Sequence, residues 1–527
     1  MQTDLKKLEA ELQYEILPGT EVMADTEHVE FVKSGSTVLI PQPSSSPDDP
    51  LNWTPFWKSG AIVCSVLLGF IQGFGPLSLS SQVPYYVADF DRSVNDIVNL
   101  IGVTILVLGF SNFVWIPIAT QFGRRPVAIF SNLVCLGSCI WRARATSYHS
   151  FLGACILNGI GAGPAETLPP VIISDVTFLH TRGAYMVTYW WAYFGSLMVG
   201  PVVSGVMSEK YGWQSFWWLN VALFAFLTVL SIVWLPETKY KRATELAPSS
   251  ALDLAKQEED RISTVGIEKH VDDALGRGRP TAKAFLPVSG FEGDKKLFLR
   301  DVGTPWLLFS FPIVQWASFV CSWSSSCFLV LNLTQSLVFA APPYLFSAGA
   351  VGYTNLAILG GALIGLVTAG PSGDILSRFS TKRNRGIREP EMRLPALWPY
   401  ALLLAIGTAV VSVGYENQWD WKVIVIVGYG SLGWQVAAIP PLAMTYAIDS
   451  YSQVSGEFLV SMTVNKNLWG YGVSQFLIPW IERSGYVAPL MVNAGLTILF
   501  TLGGSIALWL GGKTLRRWTK NSYIHRM

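Results

Sequence analysis

The chain has 527 residues, of which 51% are hydrophobic and only 14% charged, well below the roughly 25% charged residues of an average soluble protein. A formal net charge of +1 supplies no basic field for nucleic acid. The 21 Trp suit membrane interfaces and solute cavities better than an ordinary soluble core.

Met1 to Trp57 is polar and rich in Pro, Ser and acidic residues, and reads as a disordered cytoplasmic tail without a signal peptide. It ends in Pro47-Asp48-Asp49-Pro50-Leu51-Asn52-Trp53, just before the first long apolar run. A helix that crosses a bilayer needs about 20 largely apolar residues. Six candidates follow, at Gly60–Ser80, Ile97–Ala119, Val127–Ala143, Phe151–Ile173, Tyr185–Met207 and Trp213–Leu235. A polar stretch, Lys239 to Arg300, separates them from six more: Pro305–Val330, Ala350–Gly370, Leu394–Val413, Val423–Tyr446, Val454–Trp480 and Val487–Leu510. The expected fold is an all-α membrane protein with twelve transmembrane helices in two six-helix halves. The halves are residues 58–238 and 302–512, joined by a cytoplasmic linker at 239–301 and followed by a cytoplasmic tail at 513–527.

Lys and Arg set the orientation. Arg124, Arg125, Arg182, the linker, the cluster from Arg378 to Arg393 and the tail Lys513, Arg516, Arg517 and Lys520 all fall on one side, so both termini are expected inside. The glycosylation patterns at Asn52 and Asn332 then lie in the cytoplasm and within a span, and neither is expected to be used. The six Cys sit in apolar runs without metal-ligand or redox spacing and read as small hydrophobes.

Two six-helix halves imply a binding site between them near the bilayer midplane. Three features bear on such a site. Glu166 lies inside the fourth run, on one helical face with Asn158 and Ala162. A carboxylate in a span costs a few kcal/mol by insertion scales and therefore faces a cavity, a partner or a proton path. Lys466 lies near the centre of the eleventh run between Asn465 and Asn467. It can serve as the partner of Glu166, as a substrate contact, or as a snorkelling residue. Glu166 and Lys466 are the proton-coupling candidates. Third, Ala192, Ser196, Gly200 and Ser204 stand four apart in the fifth run, with Pro201 and Gly205 beside them; Gly361, Gly365 and Ala369 repeat the pattern in the eighth. Small residues at that spacing let helices approach closely.

Gly123-Arg124-Arg125-Pro126, the run from Asp175 through Phe178-Leu179-His180-Thr181-Arg182-Gly183, Gly200-Pro201 with Gly205, and Pro236-Glu237-Thr238 together resemble the major facilitator superfamily, in its fungal twelve-spanner, drug:proton antiporter-like form. Asn384 to Leu394 is similar to the loop after helix 8 in a polyamine- and histidinol-permease-like branch. The resemblance implies a cytoplasmic gate at Arg124, Arg125, Asp175, Arg182, Asp374 and Arg378. The family's acid before Gly-Arg-Arg is replaced here by Thr120, so Asp175 is the expected partner of the arginines, unless they serve only as topology anchors. It also implies a cavity lined by helices 1, 4, 7 and 10, with Gln72, Asn158, Gln315, Trp316, Trp434 and Gln435 as candidates beside Asn465 and Asn467; Tyr189 and Trp190 add aromatic surface. Helices 5 and 8 would meet across the halves through their small-residue stripes. The family's helix 4 Arg falls at Cys155 and is missing.

No Walker sequence, catalytic triad or metal cluster is evident, so no enzymatic activity, cofactor or metal is expected. The expectation is a monomeric secondary transporter. It would export a small organic compound by proton antiport, or else import a polyamine or another organic cation with protons; a non-transporting receptor is the remote alternative. The plasma membrane is the expected address, with the vacuolar membrane second.

Overall fold

The computed structural model describes residues 43–240, 276–286 and 306–519, apart from 45, 385–386 and 452–454, together with the isolated pieces 21–22, 33–34, 37–38 and 303. Most of the tail up to residue 42, most of the linker, and Arg385 and Lys520 lie outside the described residues.

The described chain is almost entirely helical. Ten helices are long and apolar enough to cross a membrane: span 1 (Pro55–Phe90), span 2 (Val94–Phe122), span 3 (Arg124–Arg144), span 5 (Leu179–Tyr211), span 6 (Trp213–Trp234), span 7 (Pro312–Phe339), span 8 (Ala348–Arg383), span 9 (Pro390–Glu416), span 10 (Trp421–Ser450) and span 12 (Val487–Thr519). The two other apolar runs expected to cross are also helical. Span 4 is broken into Tyr148–Ala162, a 3-10 turn at Gly163–Glu166 and Leu168–Val176. Span 11 is the continuous helix Ser455–Ser484, whose apolar run is interrupted by Asn465-Lys466-Asn467. These two, one broken into short pieces and one interrupted by polar residues, are the ones that carry Glu166 and Lys466. Large apolar side chains such as Val114, Phe130, Val229, Val233 and Val367 point away from the protein, as they must where the surroundings are hydrocarbon.

Sequence chemistry explains the break in span 4. In a continuous helix the N–H of residues 169 and 170 would bond the carbonyls of Ala165 and Glu166. Both positions are proline and have no N–H to give. The Tyr189 hydroxyl on span 5 donates to the Ala165 carbonyl instead, at 2.6 Å. Thr167 Oγ1 donates to Asn112 Oδ1 on span 2 at 2.7 Å. The turn is thus held from two sides, and Glu166 at its end is carried to the middle of the molecule.

The small-residue stripe of span 5 does not meet span 8. Ser196, Gly200 and Ser204 face span 1: a Cβ on Gly200 would lie 2.4 Å from the Phe74 carbonyl, and Ser204 Oγ donates to the Ser78 carbonyl at 2.9 Å. The contact across the halves is made one residue further round. Gly205 packs on the Ala348 backbone, and Gly352 packs on Pro201 and Val202. Likewise Gly361 and Gly365 of span 8 pack on Gly430 and Trp434 of span 10, inside the C-terminal half. One residue is 100° on a helix, enough to change which neighbour a side chain meets.

The expectation of a disordered tail up to Trp57 fails at its end. Asp49 accepts the Leu51 N–H and caps a 3-10 turn at Pro50–Asn52, the Asn52 amide holds the carbonyls of Ser44 and Ser46, and Trp53 is buried. This segment docks a returning piece of the linker: Gly278 exchanges backbone hydrogen bonds with Asn52 and Thr54 at 2.9 Å each. The polar composition hid this order, because the stabilisation comes from the buried run Asp49 to Trp53 and its capped turn.

Candidate functional site

A cavity lies between the halves and leaves about 120 Å³ for the centres of water-sized molecules, room for on the order of ten waters. Its wall is mostly apolar and aromatic, with Leu77, Trp190, Tyr193, Phe328, Pro441 and Met462 among its members. Among the described lining residues two are charged, Glu166 and Lys466.

These two form an ion pair across the halves. Lys466 Nζ lies 2.5 Å from Glu166 Oε1, and the same carboxylate oxygen accepts the Tyr193 hydroxyl at 2.5 Å. Glu166 is 6% exposed and Lys466 is 21% exposed. Of the three roles open to Lys466 in the sequence, the first is therefore occupied here. Tyr193 was not singled out by sequence; its spacing of one helical turn from Tyr189 is the signal that would have found it.

Of the remaining cavity candidates, Gln72 and Asn467 line the wall. Gln72 donates to Ser131 and Asn132 on span 3 at 3.0 Å each and leaves its oxygen unbonded. Asn467 is buried, with Nδ2 unbonded. Asn158 instead bonds Ser138 between spans 4 and 3. Gln315 closes onto the Phe309 carbonyl, and Trp316 donates to the Phe500 carbonyl. Trp434 donates to Thr368, while Gln435 accepts from Ser324. Four of those side chains bond neighbouring helices, and Gln315 bonds back to the segment that precedes its own helix. Asn465 is half-buried outside the lining. On span 10 the wall is made by Val436, Pro440, Pro441 and Met444, so the register expected there is displaced.

At the Arg- and Lys-rich ends each half is tied to itself. In the N-terminal half, Arg124 Nε lies 3.2 Å from Asp175 Oδ2. Glu237 accepts the backbone N–H groups of Arg124 and Arg125 at 2.9 and 3.2 Å, a carboxylate on a helix N-terminus. Arg125 grips the carbonyls of Ile232, Leu235, Phe285 and Leu286, joining span 6 to the docked linker. Arg182 bonds the carbonyls of Ser174 and Thr177 at the end of span 4. In the C-terminal half, Asp374 is held by Arg393, at 3.3 Å, and Arg393 also reaches Asp449 at 3.1 Å. Arg378, expected beside Asp374, is therefore not the cation that holds it.

The opposite ends close the halves against each other. Gln335 donates to Ser80 Oγ at 3.0 Å, Ser336 donates to the Ser80 carbonyl, Gln475 donates to Asn99 at 2.7 Å, and Glu209 accepts the Gly349 N–H at 3.2 Å. Arg142, at the outer end of span 3, is fully buried beside Thr104 and Cys155 and lies over the Trp217 ring at 4.5 Å.

A broken helix and a charged pair between two sets of helices fit the general plan of a pseudo-symmetric membrane carrier. The Major Facilitator Superfamily model matches residues 62–470. The chain belongs to that family. An MFS-type transporter of Schizosaccharomyces pombe is 26% identical to it, over 97% of this chain and 94% of the relative. The efflux pump radE of Floropilus chiversii is 25% identical, over 83% of this chain and 78% of the relative. Among solved structures, the xylose transporter XylE from E. coli in a partially occluded inward open conformation aligns with a TM-score of 0.57 and 13% identity, covering 86% of this chain and 99% of that one. The protein is thus a multi-pass membrane transporter of fungal MFS type.

Proposed function

We propose that the protein is a proton-coupled secondary transporter of a small organic compound, and that the Glu166–Lys466 bridge is its coupling element. The observation that carries this reading is the place of the pair: the two charged groups of the cavity wall come one from each half and meet inside the cavity. A bridge between bodies that must rock apart is made and broken in each cycle. Proton binding to Glu166 weakens it, so the conformational equilibrium and the proton are linked. With the basic ends facing the cytoplasm, the hydrogen bonds at the opposite ends correspond to a carrier closed towards the outside.

Export is the direction supported by the efflux-pump names of several relatives. The plasma membrane is the proposed location, with the vacuolar membrane second, and the monomer the proposed working unit. Of the expected gate residues, Arg124 with Asp175, and Asp374 through Arg393 and Asp449, brace each half as a rigid body, and Glu237 adds to the first. Deletion and overexpression in the native host, with metabolite profiling of cells and medium, test the direction: accumulation in the deletant supports export, and loss of uptake overturns it. The Glu166→Gln protein tests the coupling. It should reach the membrane at the wild-type level and lose pH-driven flux; full pH-driven flux in that variant would remove Glu166 from the coupling path.

A further inference from the structure

The central bridge uses only one oxygen of its carboxylate, and what it leaves over bears on what the carrier takes. Glu166 Oε1 accepts both Lys466 and Tyr193. Its Oε2 accepts no hydrogen bond from the described residues and stays open to the cavity. The next residue on span 11, Asn467, turns its Nδ2 into the protein, where a Cβ on Gly109 of span 2 would lie 3.2 Å from it. The other side of that amide, Oδ1, also accepts nothing from the described residues and is left to the cavity wall. On these two side chains the open atoms are therefore acceptors. Lys466 keeps two ammonium protons for an acceptor on a ligand. The hydroxyls of Ser325 and Thr463, in the same wall, serve either way. The rest of the surface, with Trp190, Phe194 and Phe328, suits a flat apolar body.

Two conditions then act on a ligand at this place. The first is charge. With the bridge ionised and intact the wall is neutral, and unpaired charge in a low-dielectric interior is costly. The second is hydrogen bonding, because a polar group covered by a ligand without a partner loses its water and gains nothing. A cation offers donors to Oε2 but leaves an excess positive charge beside Lys466. A carboxylate leaves an excess negative charge and turns lone pairs towards Oε2 and Oδ1. An uncharged ether, ester or ketone keeps the balance but leaves both acceptors unmet. An uncharged group with N–H or O–H meets both conditions.

We propose that the substrate is an uncharged, largely aromatic molecule whose N–H or O–H groups bond Glu166 Oε2 and Asn467 Oδ1 over the intact bridge. This rests on the carrier reading above and deepens it by naming the class of solute. A primary amide carries the full set of groups: two N–H for the two acceptors and a carbonyl for Lys466. Specificity then comes from donors placed against a carboxylate, and the aromatic wall supplies most of the contact area.

The test uses four radiolabelled probes with one planar body that differ in charge and in donors: benzamide (uncharged, with donors), methyl benzoate (uncharged, without), benzamidine (cationic, with donors) and benzoate (anionic, without). Each is measured near neutral pH by equilibrium dialysis against the purified full-length protein, with the same detergent on both sides. Benzamide is expected to bind at least about tenfold more tightly than each of the others, the effect of a hydrogen bond to a charged acceptor. Glu166→Gln puts an NH2 group in place of Oε2. It should bring benzamide down to the level of methyl benzoate, whose own binding stays at the wild-type value and reports an intact site. Asn467→Leu should weaken benzamide by about two- to tenfold, the range for an uncharged hydrogen bond. Methyl benzoate binding as tightly as benzamide, preference for benzoate or benzamidine, no binding of any probe, or a benzamide preference that survives in Glu166→Gln each overturns the assignment. Those outcomes leave the carrier reading standing if Glu166→Gln still abolishes pH-driven flux; unaltered flux in that variant is the separate result that removes the coupling role.

Discussion

Two buried clusters of opposite charge behave differently in this molecule. At the Arg- and Lys-rich end of the C-terminal half, the fully buried Arg516 holds Glu391 through Nε and Nη2, at 2.8 Å each, and binds Glu389 as well. Glu389 and Glu391 belong to the same half as Arg516, and its guanidinium is engaged by both carboxylates in a fixed fork. At the centre, Glu166 meets Lys466 through a single ammonium contact from the other half, on an oxygen shared with Tyr193. A multiply bonded arginine within one body fixes structure. A single ammonium contact between two bodies can be exchanged for a proton or a ligand. On the coupling proposed above, the same element of chemistry, buried charge, is a brace in one place and a switch in the other, and the difference lies in the number of bonds and in whether the pair crosses between the halves.

The largest expected effect breaks the brace. Arg516→Ala leaves Glu389 and Glu391 without their buried partner, a change that costs about 3–5 kcal/mol for a buried pair. The variant is expected to aggregate or melt early in detergent, read as loss of the monodisperse size-exclusion peak. A wild-type melting curve would show that this cluster braces nothing.

The second prediction concerns the switch. The double variant Glu166→Gln with Lys466→Gln removes both charges at once and keeps two hydrogen-bonding side chains in place. It is expected to melt near the wild type and to have lost pH-driven flux. Early melting of the double variant would make the central pair a brace too and erase the distinction.

A third pair of variants separates contacts within a half from contacts between halves. Gly200→Ala puts a methyl group against the Phe74 carbonyl, inside the N-terminal half; Gly205→Ala puts one against the Ala348 carbonyl, across the halves. Overpacking of this kind costs about 1–3 kcal/mol. Gly200→Ala is expected to lower the melting temperature. Gly205→Ala is expected to leave it nearly unchanged and to shift the carrier away from the outside-closed arrangement, seen as faster labelling of a cysteine placed at Ser80. Equal melting losses for both would show that the two contacts are energetically alike.

The smallest effect is expected at the gate. Arg124 and Asp175 are both partly exposed, so their bridge is screened. Asp175→Asn should lower stability by less than about 1 kcal/mol and reduce flux by a small factor, because Glu237 still holds the start of span 3. Complete loss of transport in that variant would place the gate on a level with the central pair.

The sequence by itself determined the class. Twelve apolar runs, a basic side and the Gly-Arg-Arg turn follow from composition and periodicity, which act locally and are read along the chain. It also marked Glu166 and Lys466, because a charge in an apolar run is conspicuous whatever surrounds it. Tertiary structure alone decided how the marked residues are used. That the two meet depends on the break at Pro169 and Pro170 and on two helices 300 positions apart in sequence. The stripe of span 5 was legible as small residues, but a rotation of one residue gave it to span 1 and left Pro201 and Gly205 for span 8. Trp316, Trp434 and Gln435 sit on the predicted helices and are consumed by neighbouring helices. Apolar periodicity shows which helices form, but in a bundle apolar on nearly every side it does not say which face meets which partner. Side-chain packing and the placement of a few hydrogen bonds settle that, and those are properties of the assembled fold.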